Sequence, residues 1–330
     1  MTIEWYEEKY EKLWDDFVLH KSINGTFLQS RNFLNYHPAG RFEDCSVLVF
    51  NDKGNLAAVV PACVQHEADG KKTFFSHKGS TYGGIVIDKK HYNAASLLEI
   101  IEKIEEVLKE NNFNALYLKI TPEIFCTEKP DLLEYLLYYK QYKEYAELNT
   151  YIDFAHYNEN ILANFSQGKR THINSCLKAG LQFKEINGQL DIKEMHALIS
   201  KNLMKYHVKP VHTVEELLVL KEKYIPNNIK FFAGDDRENK IVSGAVVFYF
   251  PNTKTLHTQY LCADENLAKL SPMSFMYYSM ILHAKEIGYK KISWGIATEQ
   301  QGTVLNEGLL SSKEAFGSTY SVNKSFYKEW

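Results

Sequence analysis

Two stretches of this 330-residue chain run through one order of elements, and that order limits the folds open to it. Residues 46–121 read as strand, hairpin, strand, strand, helix, strand. Residues 229–297 read the same way, although the sequences barely match. In the first stretch, apolar runs at 46–50 and 56–65 flank Asn51-Asp52-Lys53-Gly54, a turn whose glycine tolerates positive φ. A run at 72–77 leads to Gly79-Ser80-Thr81-Tyr82-Gly83-Gly84 and the short run 85–88. Leu97, Leu98, Ile101, Ile104, Val107 and Leu108 then recur at helical spacing over 93–111, and 115–120 is a buried type of strand. In the second stretch, 229–233, 241–250 and 255–263 are strands, with a polar turn at 235–240. Residues 271–287 form a helix with Pro272 in its first turn, and 291–296 is the closing strand.

This repeated order predicts an α/β fold with mixed sheets (α+β in layout), built as a tandem duplication with lobes at 1–150 and 151–330. Helical material at 158–224 opens the second lobe, in helices over 160–180, 194–206 and 214–224. The first 17 residues, MTIEWYEEKYEKLWDDF, read as an acidic helix, and 27–37 as a short second one. They lack the basic-then-apolar layout of a signal peptide. No apolar run approaches the roughly 20 residues that cross a bilayer.

A net charge of −3 provides no global field toward DNA or anionic membranes. Five scattered cysteines without CxxC or CxxH spacing argue against a disulfide framework and against a zinc site, and fit a reducing, cytoplasmic setting. The 22 tyrosines and 19 phenylalanines fit either wet clefts or an AT-rich coding sequence.

Chemistry concentrates at 294–317, a polar loop held by a buried strand and a short amphipathic helix, which is where sites are commonly built. Lys313 is either a ligand for a phosphate or carbonyl oxygen, with Phe316 as a wall against water, or an exposed lysine beside a core phenylalanine. Glu299 follows the strand end, where α/β folds place ligands, and is a candidate base. Asn306 and Gln300 either read a polar substrate or, for Asn306, cap the helix. His257 and Gln259 alternate along their strand and so share one face, with Tyr260 on the other. His77 and Tyr82 flank glycines that permit close backbone approach. Lys169, Arg170, His172 and Lys178 form a basic helical surface suited to phosphate. Lys209 and His212 flank the stiffening Pro210. Ser/His/Asp, HExxH, P-loop and dinucleotide motifs are absent from the sequence.

Strands of mixed direction followed by a helix and a closing strand resemble the GNAT acyltransferase fold. Two such units in tandem resemble the Fem-type GNAT-like acyltransferases. Lys313-Glu314-Ala315-Phe316-Gly317 is similar to the Fem-type ending, where a lysine and a phenylalanine precede a glycine. Lys169-Arg170-Thr171-His172 with Lys178-Ala179-Gly180 is similar to that family's basic helix, and 77–84 to its Gly/Tyr-rich acceptor segment.

The resemblance implies an N-acyltransferase that moves an acyl group, acetyl from acetyl-CoA or from another acyl-CoA, to an amine. The acceptor would be a small molecule, a sugar, a sugar nucleotide or a cell-wall (peptidoglycan) precursor. Lys313 and Glu299 would be catalytic; His77, Tyr82, Lys209, His212, His257, Gln259, Asn306 and Phe316 would contact substrates; Lys169 and Arg170 would hold phosphate. Alternatives are aminoacyl transfer from a charged tRNA and a non-catalytic glycan-precursor binding protein. The segments at 264–272 and 88–93 both lack the glycines with which GNAT enzymes cradle a pyrophosphate.

Overall fold

Ile3 and Trp5 alternate with exposed Thr2 and Glu4, and the chain uses this alternation before any helix begins. In the computed structural model, which describes residues 1–205 and 207–330, Thr2–Trp5 is a strand, β1, paired antiparallel with β2 (Val47–Phe50). The acidic N-terminal helix expected from sequence therefore shrinks to α1 (Glu11–Asp16), because Ile3 and Trp5 are drawn onto the core and Trp5 stacks on Phe113. The helix expected over 27–37 becomes a tight turn at 27–29, closed by a Thr26/Gln29 capping box, and the four-residue α2 (Arg31–Leu34).

Contacts divide the chain into two units, Met1–Glu147 with Val322–Trp330, and Leu148–Ser321. In the first, β3 (Leu56–Val60) pairs with β2. A hairpin of β4 (Cys63–His66) and β5 (Lys72–Ser76) follows, and β6 (Val86–Ile87) pairs back on β3. The long helix α3 (Ala94–Glu110) is capped by Asn93, whose side chain accepts from Ser96 N at 3.1 Å. It turns Leu97, Ile101, Ile104 and Leu108 into the core. After it, β7 (Ala115–Lys119) runs parallel to β5, and α4 (Asp131–Tyr139) follows.

The chain enters the second unit within β8 (Lys143–Asp153). There follow α5 (Gln167–Ala179), β9 (Gln182–Ile186), α6 (Gln189–Met204) and α7 (Val214–Val219). The helix expected over 194–206 is thus α6; its expected last residue, Tyr206, lies outside the described residues. Next come β10 (Ile229–Asp235), β11 (Ile241–Phe250), β12 (Thr255–Ala263), α8 (Pro272–Glu286) and β13 (Lys291–Ile296). A small hairpin, β14 (Thr298–Glu299) and β15 (Val304–Leu305), leads to α9 (Glu307–Glu314). The last strand, β16 (Thr319–Glu329), ends in the first unit against β7.

In the second unit the strands lie in the order β8-β13-β12-β11-β10-β9, antiparallel except for β12 and β13. β11 is buried at all ten positions and reads as an unbroken apolar run, as expected of a strand covered on both faces. Each unit thus contains one parallel pair joined through a long helix, β5/α3/β7 and β12/α8/β13. This is the duplication that the sequence order predicts.

Phe316, fully buried, fastens α9 to the second core. Its ring stacks on Tyr277 at 4.4 Å and meets Phe165 edge-on at 5.2 Å. Phe316→Ala is expected to cost about 3–5 kcal/mol, measured by urea unfolding.

Candidate functional site

Two irregularities in the second sheet open a cavity. β12 and β13 pair over three residues only, Thr255 with Lys291, Leu256 with Ile292 and His257 with Ser293. Beyond these, no pairing joins the two strands. On its other side β12 bulges: Val247 faces Thr258 and Val246 faces Tyr260, leaving Gln259 as an extra residue. A bulge breaks side-chain alternation. Gln259 and Tyr260, on either side of the break, both border one cavity of about 740 Å³, as do Thr258 and Leu261, whereas His257 does not line it. The expectation that His257 and Gln259 share a face opposite Tyr260 is corrected on this ground.

The cavity wall is completed by Ile199 and Leu203 of α6, Pro272 and Tyr277 of α8, Trp294 of β13, and Leu309 and Lys313 of α9. Every lining residue belongs to the second unit. Trp294 is 4% exposed and its indole N–H has no partner. A buried donor without a partner costs about 1–3 kcal/mol, which a ligand oxygen would recover.

Lys313 is a charged group of the cavity wall that is almost fully buried, with 3% exposure. Asn306 starts its helix by accepting from Leu309 N at 3.0 Å, so the capping role is the one realised. The helix end is secured by Ser166 N donating to Ala315 O at 2.9 Å, by Tyr157 Oη donating to Phe316 O at 2.5 Å, and by Gly317 at φ +76°. Lys313 Nζ is thereby brought to the end of β13, where it donates to Gly295 O at 3.0 Å and Ile296 O at 2.8 Å. An exposed lysine, the alternative from sequence, is ruled out. Burial lowers its ammonium to about 8, because desolvation penalises the charged form.

His257 sits beside this group. Gly295 has φ +77°, and a side chain there would meet the His257 ring at 3.6 Å. Burial, and then the charge of Lys313, lower the imidazole to about 4. Its Nδ1 lies 3.2 Å from Ser293 Oγ.

The other sequence candidates are placed elsewhere. Glu299 is exposed on β14 and accepts from Asn306 Nδ2 at 2.9 Å, away from the cavity. Lys209 is exposed. His212 is buried, with Nδ1 2.9 Å from the Tyr260 hydroxyl, which also accepts from the backbone N–H groups of Val211 and His212 at 3.1 and 3.3 Å. Arg170 Nη1 donates to Phe165 O at 2.5 Å in its own helix entrance. Lys169 donates to Ser312 Oγ at 3.3 Å and lies over the Phe316 ring at 4.7 Å, and burial lowers its ammonium. In the first unit, His77 and Tyr82 are only 3% and 2% exposed. Burial lowers the His77 imidazole to about 4 and raises the Tyr82 phenol well above its ordinary range.

The loop at 264–271 carries no glycine with which to cradle a diphosphate. Asp264 and Glu265 line the cavity there; Lys240 lies 3.7 Å from Asp264 and Lys205 pairs with Glu265, while Lys269 of the same loop is exposed. Pro272 removes one N–H from the first turn of α8. An apolar acyl portion fits the cavity itself.

No protein-family model and no curated protein sequence matches the chain. Solved structures do. FemX superposes with a TM-score of 0.72 at 13% identity, over 100% of this chain and 98% of that one. The C-terminal domain of a putative lysylphosphatidylglycerol synthetase from Agrobacterium fabrum gives 0.61 at 14%, covering 98% and 92%. A tandem GNAT protein from the clavulanic acid biosynthesis pathway gives 0.58 at 7%, covering 99% and 98%. The chain has the tandem GNAT fold. Within it, the cavity lies beside the parallel β12/β13 pair, which parts after three residues.

Sequence reasoning named Lys313 but missed Tyr277 and the α6 residues of the wall, which carry only the signal of ordinary core positions. Lys313 also has a consequence for stability. From pH 8 to about 10.5 the unfolded chain binds more protons at this lysine than the folded one does, so stability contributed by the site rises with pH across that window. Below about pH 8 both states are protonated and the burial penalty is fully present. Urea unfolding at neutral pH and at about pH 10 is expected to show this gain in the wild type and its loss in Lys313→Met.

Proposed function

We propose that the chain is an N-acyltransferase that joins an activated acyl or aminoacyl group, seated in the cavity of the second unit, to a primary amine. The observation that carries this reading is the buried Lys313 amino group in the wall of that cavity, lowered to about 8. The tandem GNAT fold and its likeness to FemX support it.

In this reading the donor carbonyl oxygen faces Lys313. The lone pair of a neutral amine forms the new C–N bond, and the carbonyl π electrons move onto oxygen, where the Lys313 ammonium stabilises the developing charge. The oxyanion then re-forms the carbonyl, and the C–O or C–S bond to the leaving group breaks. An ammonium near pH 8 is matched to handing that leaving group a proton at neutral pH. The proton that the attacking nitrogen sheds as the amide forms returns to the Lys313 amine and restores its ammonium, while His257, outside the cavity lining, stays neutral beside it. Glu299 has no part in this scheme.

The acceptor class we favour is an amine on a sugar, sugar nucleotide or cell-wall precursor, following the Fem-type resemblance. For the donor, the missing glycine cradle at 264–271 favours an aminoacyl ester over acetyl-CoA. The printed name of a second neighbour, a lysylphosphatidylglycerol synthetase, also denotes an aminoacyl product. Incubation of the protein with acetyl-CoA or with aminoacyl-tRNA, each with amino sugars and peptidoglycan precursors, followed by mass spectrometry, tests both donors. An acylated amine from either supports the reading; precursor binding without turnover supports the glycan-binding alternative. Lys313→Ala is expected to lower turnover by about 10²-fold or more with the fold intact. Lys313→Arg is not expected to restore it, because a guanidinium neither fits the carbonyl pair nor titrates near neutrality. Unchanged turnover in Lys313→Ala contradicts the assignment.

A further inference from the structure

The start of α5 is tied to the end of α9, and this brings a second lysine to the edge of the cavity. Ser166 caps α5, and its own N–H donates to Ala315 O at 2.9 Å, so the first turn of α5 lies beside the last turn of α9. Lys169 of that first turn reaches Ser312, donating from Nζ to Oγ at 3.3 Å. Ser312 borders the cavity, as does Lys313, the next residue, and all of them lie in the second unit. Among the described residues neither side chain has another hydrogen bond or an ion pair; Lys169 Nζ otherwise lies over the Phe316 ring at 4.7 Å.

An ammonium only donates, and a serine hydroxyl has one proton to give. While Lys169 is charged, Ser312 accepts from it and its own proton is uncommitted. Once Lys169 is neutral the bond reverses: the nitrogen lone pair takes the Ser312 proton, and the oxygen gains the character of a nucleophile. Burial pushes Lys169 toward the neutral form, and among the described residues no carboxylate stands at ion-pair distance to hold its charge. Lys313 spends two of its three N–H groups on Gly295 O and Ile296 O, which leaves the third for an oxyanion in the cavity. A nucleophile, a base and an oxyanion donor thus come from two adjoining helix ends.

We propose that Lys169 and Ser312 form a base–nucleophile pair that gives the cavity a second activity: without an amine acceptor, the acyl group of an activated ester or thioester moves onto Ser312 and then to water. The inference rests on the acyl-transfer reading for the class of donor, but not for the amine acceptor. Ser312 Oγ forms a bond to the donor carbonyl carbon as its proton passes to Lys169 Nζ, and the carbonyl π pair moves onto the oxygen beside Lys313. When the carbonyl re-forms, the bond to the leaving oxygen or sulfur breaks, and that atom keeps the electron pair and takes the proton back from Lys169. Water then repeats the sequence on the Ser312 ester, releasing a carboxylic acid and restoring the hydroxyl.

The test treats the full chain with p-nitrophenyl acetate in the absence of any amine. The wild type is expected to release nitrophenolate in a burst followed by slower turnover, and peptide mass mapping to find an acetyl on the peptide that holds Ser312. Hydroxylamine is expected to strip that acetyl, because it cleaves a serine ester and spares a lysine amide. Ser312→Ala is expected to lose both burst and label. Lys169→Met is expected to slow the burst about 10²-fold, and Lys169→Arg not to restore it, since a guanidinium accepts no proton; thermal melting confirms that each variant is folded. In the wild type the burst rate is expected to rise with pH and to level off below the ordinary lysine range of about 10.4. A burst unchanged in Ser312→Ala, or an acetyl found on lysine alone, overturns the proposal. An acetylated Ser312 in a protein that acylates no amine upholds the pair and refutes the amine acceptor. Amine acylation by a protein whose Ser312 is never labelled overturns the pair and leaves the amine reading standing.

Discussion

The contact between the Lys313 ammonium and the carbonyls of Gly295 and Ile296 is the point on which the second unit depends. It exists because β13 parts from β12 after three paired residues, leaving a strand end and a cavity that an inter-strand ladder would otherwise fill. Parting the strands gives up backbone pairing at that end. Lys313 supplies part of the replacement, and burying its charge lowers its proton affinity into the range where it exchanges protons near neutral pH. One side chain therefore serves both the geometry of the opening and its electrostatics.

Several other features hold that lysine in place. The Asn306 cap sets where α9 begins, Phe316 anchors it against Tyr277 and Phe165, and Gly317 lets the chain turn away at positive φ. Tyr277 is shared, since it packs on Phe316 on one side and lines the cavity on the other. The bulge at Gln259 has a comparable effect on β12. It breaks the alternation of β12 at Gln259, beside the cavity, and the Tyr260 hydroxyl next to it fastens the segment at 211–212. Core packing and site geometry are set by the same residues here, so the site is as rigid as the core behind it.

The sequence made the repeated order of elements legible because strong local signals fix it. β11, β12 and β13 fall on the expected residues, and α3 falls inside its two asparagines. The N-terminal strand was illegible because its four residues gain their partner from Val47–Phe50, more than forty positions away. The same limit applies to the site. Lys313 stood out by its place in a polar loop before a phenylalanine and glycine. Its burial, the placement of His77 and Tyr82 in the interior of the first unit, and the engagement of Arg170 with its own helix entrance all depend on tertiary neighbours. The His257/Gln259 expectation failed for a single reason, a one-residue bulge, which a period-two argument cannot detect.

Lysine-selective ¹⁵N NMR, following the Lys313 Nζ signal through a pH titration with and without the acyl donor, addresses the central claim most directly. The account expects one lysine, absent in Lys313→Arg, to titrate near pH 8 and to shift when the donor carbonyl enters the cavity. A Lys313 that titrates in the ordinary lysine range of about 10.4, and is unmoved by every donor that supports turnover, would contradict it.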